Sequence, residues 1–138
     1  MPDKVEAADL AKGWFEHSPF INQLGLELVS IEPDRAEISL PYREELATAG
    51  DVVHGGAVSS LIDTAAALAA WSRHDIDAGT KWGTVGIAVN FLAAGQGKDL
   101  TAAATISRRG RSLCYCRVEV SDSEGKAVAE GLVTYRLG

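Results

Sequence analysis

The stretch from Val53 to Trp71 reads VHGGAVSSLIDTAAALAAW. It is apolar or small almost throughout, yet a single carboxylate, Asp63, sits in its middle. Such a run predicts a helix from about Gly55 to Arg73. A helix apolar nearly all round must be largely enclosed by the rest of the fold.

What encloses it follows from the flanks. Asp3 to Glu16 suits a short amphipathic helix with Val5, Leu10 and Trp14 facing inward. Pro19 and Ser18 then favour a turn. Leu24 to Ile31 reads as a strand and EPDR as a turn. In the next strand, Ala36, Ile38 and Leu40 alternate with Glu37 and Ser39. Pro41 to Asp51 is a loop. After the long helix come strands at Thr84 to Leu92, Leu100 to Arg108, Leu113 to Ser121 and Ala127 to Leu137. Val85, Ile87, Val89 and Phe91 share one face of the first of these. The last pair is joined by DSEGK, where Gly125 can take the left-handed position. Short connections imply antiparallel pairing, so these four strands are expected as a meander. The class is α+β: a curved antiparallel sheet wrapped around one central helix, with a short N-terminal helix. The 138 residues form one domain, 1–138, large enough to bury a core unaided.

Composition narrows the function. A net charge of −6 argues against nucleic-acid binding, which needs a basic face. Cys114 and Cys116 lie two apart on a strand and point to one face, as small core residues in a reducing compartment. No apolar leader segment precedes the first helix, and the long apolar stretch is too short and too acidic for a membrane span. A cytoplasmic protein without membrane contact is expected.

The chemistry concentrates on the long helix. Gly55 and Gly56 open it, where free N–H groups and the positive end of the helix dipole are exposed. A carbonyl oxygen turning negative could be held there. Asp63 has Ser59, Ser60, Ala66 and Ala67 as its neighbours at helical spacing, so there is room above it. A partly desolvated carboxylate beside open space is a candidate base or nucleophile, or a core acid satisfied by a serine or a neighbouring strand. Eight helical residues span about 12 Å, while a reacting carboxylate must come within about 3 Å of its target. Gly55 and Asp63 of one chain therefore cannot act on one carbonyl. Two antiparallel copies of the helix could, each site pairing one chain's Gly55 with the other's Asp63. His54 is the histidine beside these features, able to orient the glycine turn or to contact substrate. His17 and His74 lie in polar flanks.

The segments FINQLGLELVSIEPDRAEISLP, VVHGGAVSSLIDTAAALAA, VGIAVNFLAAG and RRGRSLCYCRVEVSDSEGKAVAEGLVTYRL together resemble the hotdog-fold acyl-CoA thioesterases of the phenylacetate-pathway (PaaI-like) branch. The resemblance covers nearly everything after residue 18. It implies a dimer with continuous sheets, often paired into a homotetramer. It implies an acyl-CoA substrate and no metal or separate cofactor. It makes the Gly55 amide the carbonyl-polarising donor, with His54 beside it, and Asp63 the group that attacks the thioester or activates water. Thr48 stands where such enzymes often have asparagine, and Asp51 where they often have glycine. Gly86 stands where some carry a water-orienting serine or threonine, with Thr84 read as on the same strand face. Gly56 and Asn90 are further expected substrate contacts. Arg108, Arg109 and Arg111 are expected near the coenzyme A phosphates. Two other readings are an acyl-CoA-binding module without turnover, and an enoyl-thioester hydratase, whose paired histidine motif is missing. Trp14, Phe15, Phe20 and Trp82 are candidates to line the acyl pocket.

Overall fold

In a computed structural model the described residues are 4–73 and 79–138, with side chains from residue 7. Val5's side chain, His74 and the start of the loop after the long helix lie outside them. The chain runs α1 (Lys4–His17), α2 (Pro19–Leu24), β1 (Glu27–Glu32), β2 (Arg35–Leu40), a 3₁₀ turn (Glu44–Leu46), β3 (Ala47–Ala49), β4 (Val52–Val53), α3 (Gly55–Trp71), β5 (Trp82–Phe91), β6 (Leu100–Arg109), β7 (Leu113–Asp122) and β8 (Ala127–Leu137).

Six strands form one antiparallel sheet in the order β1-β2-β6-β7-β8-β5, and β3–β4 make a small separate ribbon. The sheet curls around α3. Every residue of α3 from Leu61 to Trp71 except Asp63 is buried. The alternation seen in the sequence is the reason. Ile38 and Leu40 of β2, Leu100, Ala102 and Ala104 of β6, and Cys114, Cys116, Val118 and Val120 of β7 all turn inward. Alanines along both β6 and α3 let helix and sheet lie close. The approach is close at Gly131 of β8 too, where an added Cβ would stand 2.7 Å from Ile62 Cγ2. The paired cysteines are core residues as expected. Burial raises both thiols, Cys116 to about 12.

Three expectations need correcting. The last four strands are not a meander. β5 skips its successor and pairs with β8 at the sheet edge. The chain after β5 is no tight hairpin: it crosses to the ribbon before α3, where Val53 N–H donates to Gly95 O at 2.8 Å and Gly97 N–H to Asp51 O at 2.9 Å. Those loop bonds replace a direct β5–β6 ladder. Next, Pro19 begins a helix, not a turn. It occupies the first helical position after the extended Ser18, and Gly25 (φ 76°) closes α2 by donating to Ile21 and Asn22 carbonyls. Strand β1 therefore starts at Glu27. Finally, α1 buries Ala7, Ala11 and Phe15, while Leu10 is 47% exposed. Small alanines suit close packing on neighbouring helices better than the leucine does.

Candidate active site

His54 is the N-cap of α3. Its carbonyl accepts from Ala57 and Val58, and its Nδ1 accepts from Gly56 N–H at 2.7 Å. A neutral imidazole that accepts at Nδ1 carries its proton on Nε2, so His54 presents an Nε2–H donor on an exposed ring. The cap uses the Gly56 amide, so Gly56 is not a free donor. Gly55 is different: among the described residues its N–H has no acceptor. An added Cβ there would lie 3.2 Å from Phe91 Cζ, so the aromatic ring sits over the bare glycine. Gly55 opens onto a cleft of about 420 Å³ that also takes in Thr48, Phe91 and Leu92. The ribbon β3–β4 thus brings Thr48 beside Gly55.

Asp63 lies on another cavity, of about 310 Å³, lined by Trp14, Phe20, Ala67, Trp82, Thr84 and Tyr135 among others. Half-buried, it accepts a 2.5 Å hydrogen bond at Oδ1 from Thr84 Oγ1. Among the described residues no hydrogen bond reaches Oδ2. The serines nearby do not satisfy it: Ser60 Oγ donates back to Gly56 O at 2.8 Å. Gly55 and Asp63 thus open on two different cavities.

A bulge separates Thr84 from Gly86. Thr84 pairs with Tyr135 on the helix side, whereas Gly86 pairs with Thr134 on the outer side of the sheet. The two do not share a face, and Gly86 is turned away from Asp63. Asn90 also lies on the outer side, beside Ala88, Glu130 and Leu132.

The arginines divide. Arg108 and Arg111 are exposed and form no ion pair among the described residues. Arg109 turns inward. Its Nη2 pairs with Asp34 Oδ1 at 2.8 Å, and its Nη1 and Nη2 donate to Ala70 O and Ala69 O, the last carbonyls of α3. Arg73 pairs with Asp34 Oδ2 at 2.8 Å. Burial pushes the Asp34 carboxyl up, but the hydrogen bonds and charges of both arginines outweigh it and hold it below its usual value. Arg109 is thus committed to the fold and is not free for a phosphate. Sequence reading missed Asp34, Trp71, Tyr135 and Phe91. Only the position of Asp34 in a turn, where it takes φ 64°, was a local signal.

Fold and site together define the hotdog class of thioester-handling proteins: one buried helix in a curled antiparallel sheet, with a bare amide at its start and an acid two turns on. Residues 50–129 match the thioesterase superfamily, and the chain belongs to that family as a thioester hydrolase. It is 28% identical over 135 residues to the medium/long-chain acyl-CoA thioesterase YigI of Escherichia coli (strain K12), across 88% of this chain and 87% of the relative. A thioesterase family protein from Silicibacter pomeroyi superposes with a TM-score of 0.87 at 26% identity, over 95% of this chain and 97% of that one. The E. coli PaaI protein from the phenylacetic acid degradation operon shares the fold, with a TM-score of 0.86 at 24% identity over 98% and 95% of the two chains. Among the described residues no helix is long and apolar enough to cross a membrane, and no group of three or more metal-binding side chains occurs.

Proposed function

We propose that the protein hydrolyses acyl-CoA thioesters at a site shared by two protomers, with Asp63 of one chain and the Gly55 amide of its partner acting on the same carbonyl. The observation that carries this is the split geometry: a free amide and a cavity-facing carboxylate about 12 Å apart on one helix, each opening on its own cavity. β5 supports the pairing. It is an edge strand, ten residues long, with Val85, Ile87 and Phe91 exposed. Such an edge invites a further strand. A second β5 running antiparallel would continue the sheet and bring the partner's Gly55 and Phe91 toward Thr84 and Asp63.

In this reading the thioester oxygen accepts from the partner's Gly55 N–H, a donor worth about 3–4 kcal/mol to the oxyanion. Thr84 fixes Asp63 through Oδ1 and leaves Oδ2 to act. As a base, Asp63 takes a proton from water while the water oxygen bonds to the carbonyl carbon. The tetrahedral intermediate then collapses, the C–S bond breaks, and the thiolate takes a proton on leaving. As a nucleophile, Asp63 bonds to the carbonyl carbon, the C–S bond breaks and the thiolate leaves and takes a proton; water then cleaves the mixed anhydride to the acid and free Asp63. Arg108 and Arg111 stand free for the coenzyme A phosphates. His54 supplies its Nε2–H beside the amide.

The test is thiol release from a panel of aryl- and fatty-acyl-CoAs by the wild type and by Asp63→Asn. The variant keeps an acceptor for Thr84, so it should stay folded and bind substrate while losing about 10²–10⁴ in kcat. Turnover unchanged in the variant would remove Asp63 from the chemistry. Label found in the Asp63 carboxyl after a single turnover in heavy-oxygen water would assign it as the nucleophile, since only water attacking the aspartyl carbonyl of an anhydride puts it there.

A further inference from the structure

Asp63, Ala67 and Trp71 lie one above another on a single face of α3, each four residues from the last. The first is the candidate reacting acid and the second is small enough to leave a cavity. The third is the largest side chain the helix carries. Trp71 is 7% exposed, and its Nε1–H donates to Tyr135 Oη at 2.8 Å. Burial raises that phenol to about 12, so the anchor stays neutral. Two more indoles meet Trp71. Trp14 stacks on it with ring centroids 5.7 Å apart, and Trp82 meets it edge-on at 5.6 Å and 75°. Both line the cavity that holds Asp63; Trp71 stands behind them. The three tryptophans of the chain are thus gathered at one place. The distance along α3 from Asp63 to this cluster is about 12 Å. At about 310 Å³ the cavity is near the bottom of the range for small-molecule sites.

We propose that Trp82, braced by Trp71 and Trp14, is the specificity-determining residue that closes the far end of the acyl cavity, so that the protein selects compact acyl groups and excludes long unbranched chains. The inference rests on the proposed acyl-CoA site and adds what that site admits. Trp82 is suited to the task because it is 54% exposed in the protomer. Its indole presents a broad apolar face not used by the core, at the first residue of β5. Removing it should lengthen the cavity without opening the fold.

Binding decides the matter independently of turnover. In the Asp63→Asn background, dissociation constants for hexanoyl-CoA and tetradecanoyl-CoA are measured by calorimetry below micelle-forming concentrations. The expected result is at least tenfold tighter binding of hexanoyl-CoA. Adding Trp82→Ala should erase or reverse that preference by strengthening tetradecanoyl-CoA binding tenfold or more, and Trp82→Phe should keep most of it. Equal or tighter binding of the long chain before Trp82 is changed would overturn the proposal, as would a preference untouched by Trp82→Ala. Thiol release by the wild type is read alongside. Hydrolysis of neither thioester would count against the proposed function, while the binding ratio still decides whether Trp82 limits length.

Discussion

At its C-terminal end α3 hands its last carbonyls to Arg109, which is itself held by Asp34, and Asp34 by Arg73. At its N-terminal end the first helical amide, Gly55 N–H, has no acceptor among the described residues, and the only side-chain cap is His54 on Gly56. The same helix is therefore closed at one end and left open at the other. Unsatisfied groups at a helix end are ordinarily met by caps or water. Leaving one bare, on a glycine that a second glycine follows, is what the proposed oxyanion role requires. The C-terminal lock offsets the stability that an open N-terminus forgoes.

The largest expected effect lies at the open end. Gly55→Pro deletes the amide, and proline is tolerated at a first helical position. Gly55→Ala keeps the amide but makes the same contact with Phe91. Proline should cost about 10²–10³ in kcat relative to alanine. Equal rates for the two variants would show that Phe91 packing, not the amide, matters at Gly55.

Next comes the closed end. Arg109→Ala should lower unfolding stability in urea at neutral pH by about 2–3 kcal/mol, through lost charge-assisted bonds. Its kcat should stay within about twofold of the wild type, because no reacting group is touched. The effect should depend on acid. The Asp34 carboxyl is held below its ordinary value of 3.8 in the folded chain. Its contribution is therefore complete above that value and is lost as pH falls through the lower folded value. The gap between wild type and Arg109→Ala should narrow on that acid limb. A constant gap would mean that the carbonyls of α3, not Asp34, are what Arg109 serves. The smallest effect is at His54: His54→Ala should cost about 1 kcal/mol of stability as a lost cap, and His54→Asn, another good cap, should recover most of it. Activity that stays low in His54→Asn with stability restored would assign the imidazole a task at the thioester.

The two ends also differ in how readily the sequence shows them. HGG and Asp63 lie within ten residues on one helix, so helical geometry alone relates them. The buried helix and the inward alternation of β2, β6, β7 and β8 are equally local. The lock is not: Arg109 meets Asp34 across 75 residues, and nothing in EPDR or RRGR separately says that one arginine of three turns inward. The face of Gly86 was misread for a similar reason. A bulge at Val85 offsets the alternation by one, and its presence is set by pairing with β8 rather than by the strand's own residues. The place of β5 at the sheet edge depends on loop bonds from Gly95 and Gly97 to the ribbon before α3, which no hydrophobic pattern encodes.

The central claim, that the open end of one helix serves the acid of another, is tested most directly by mixing two inactive variants. Gly55→Pro and Asp63→Asn protomers are denatured together, refolded and assayed for thiol release. In each mixed dimer one site joins the intact Gly55 of one chain to the intact Asp63 of the other, and the second site has neither. Random pairing should restore roughly a quarter of wild-type activity. A mixture no more active than the two variants assayed separately, with mixed dimers confirmed by mass, would contradict the shared site.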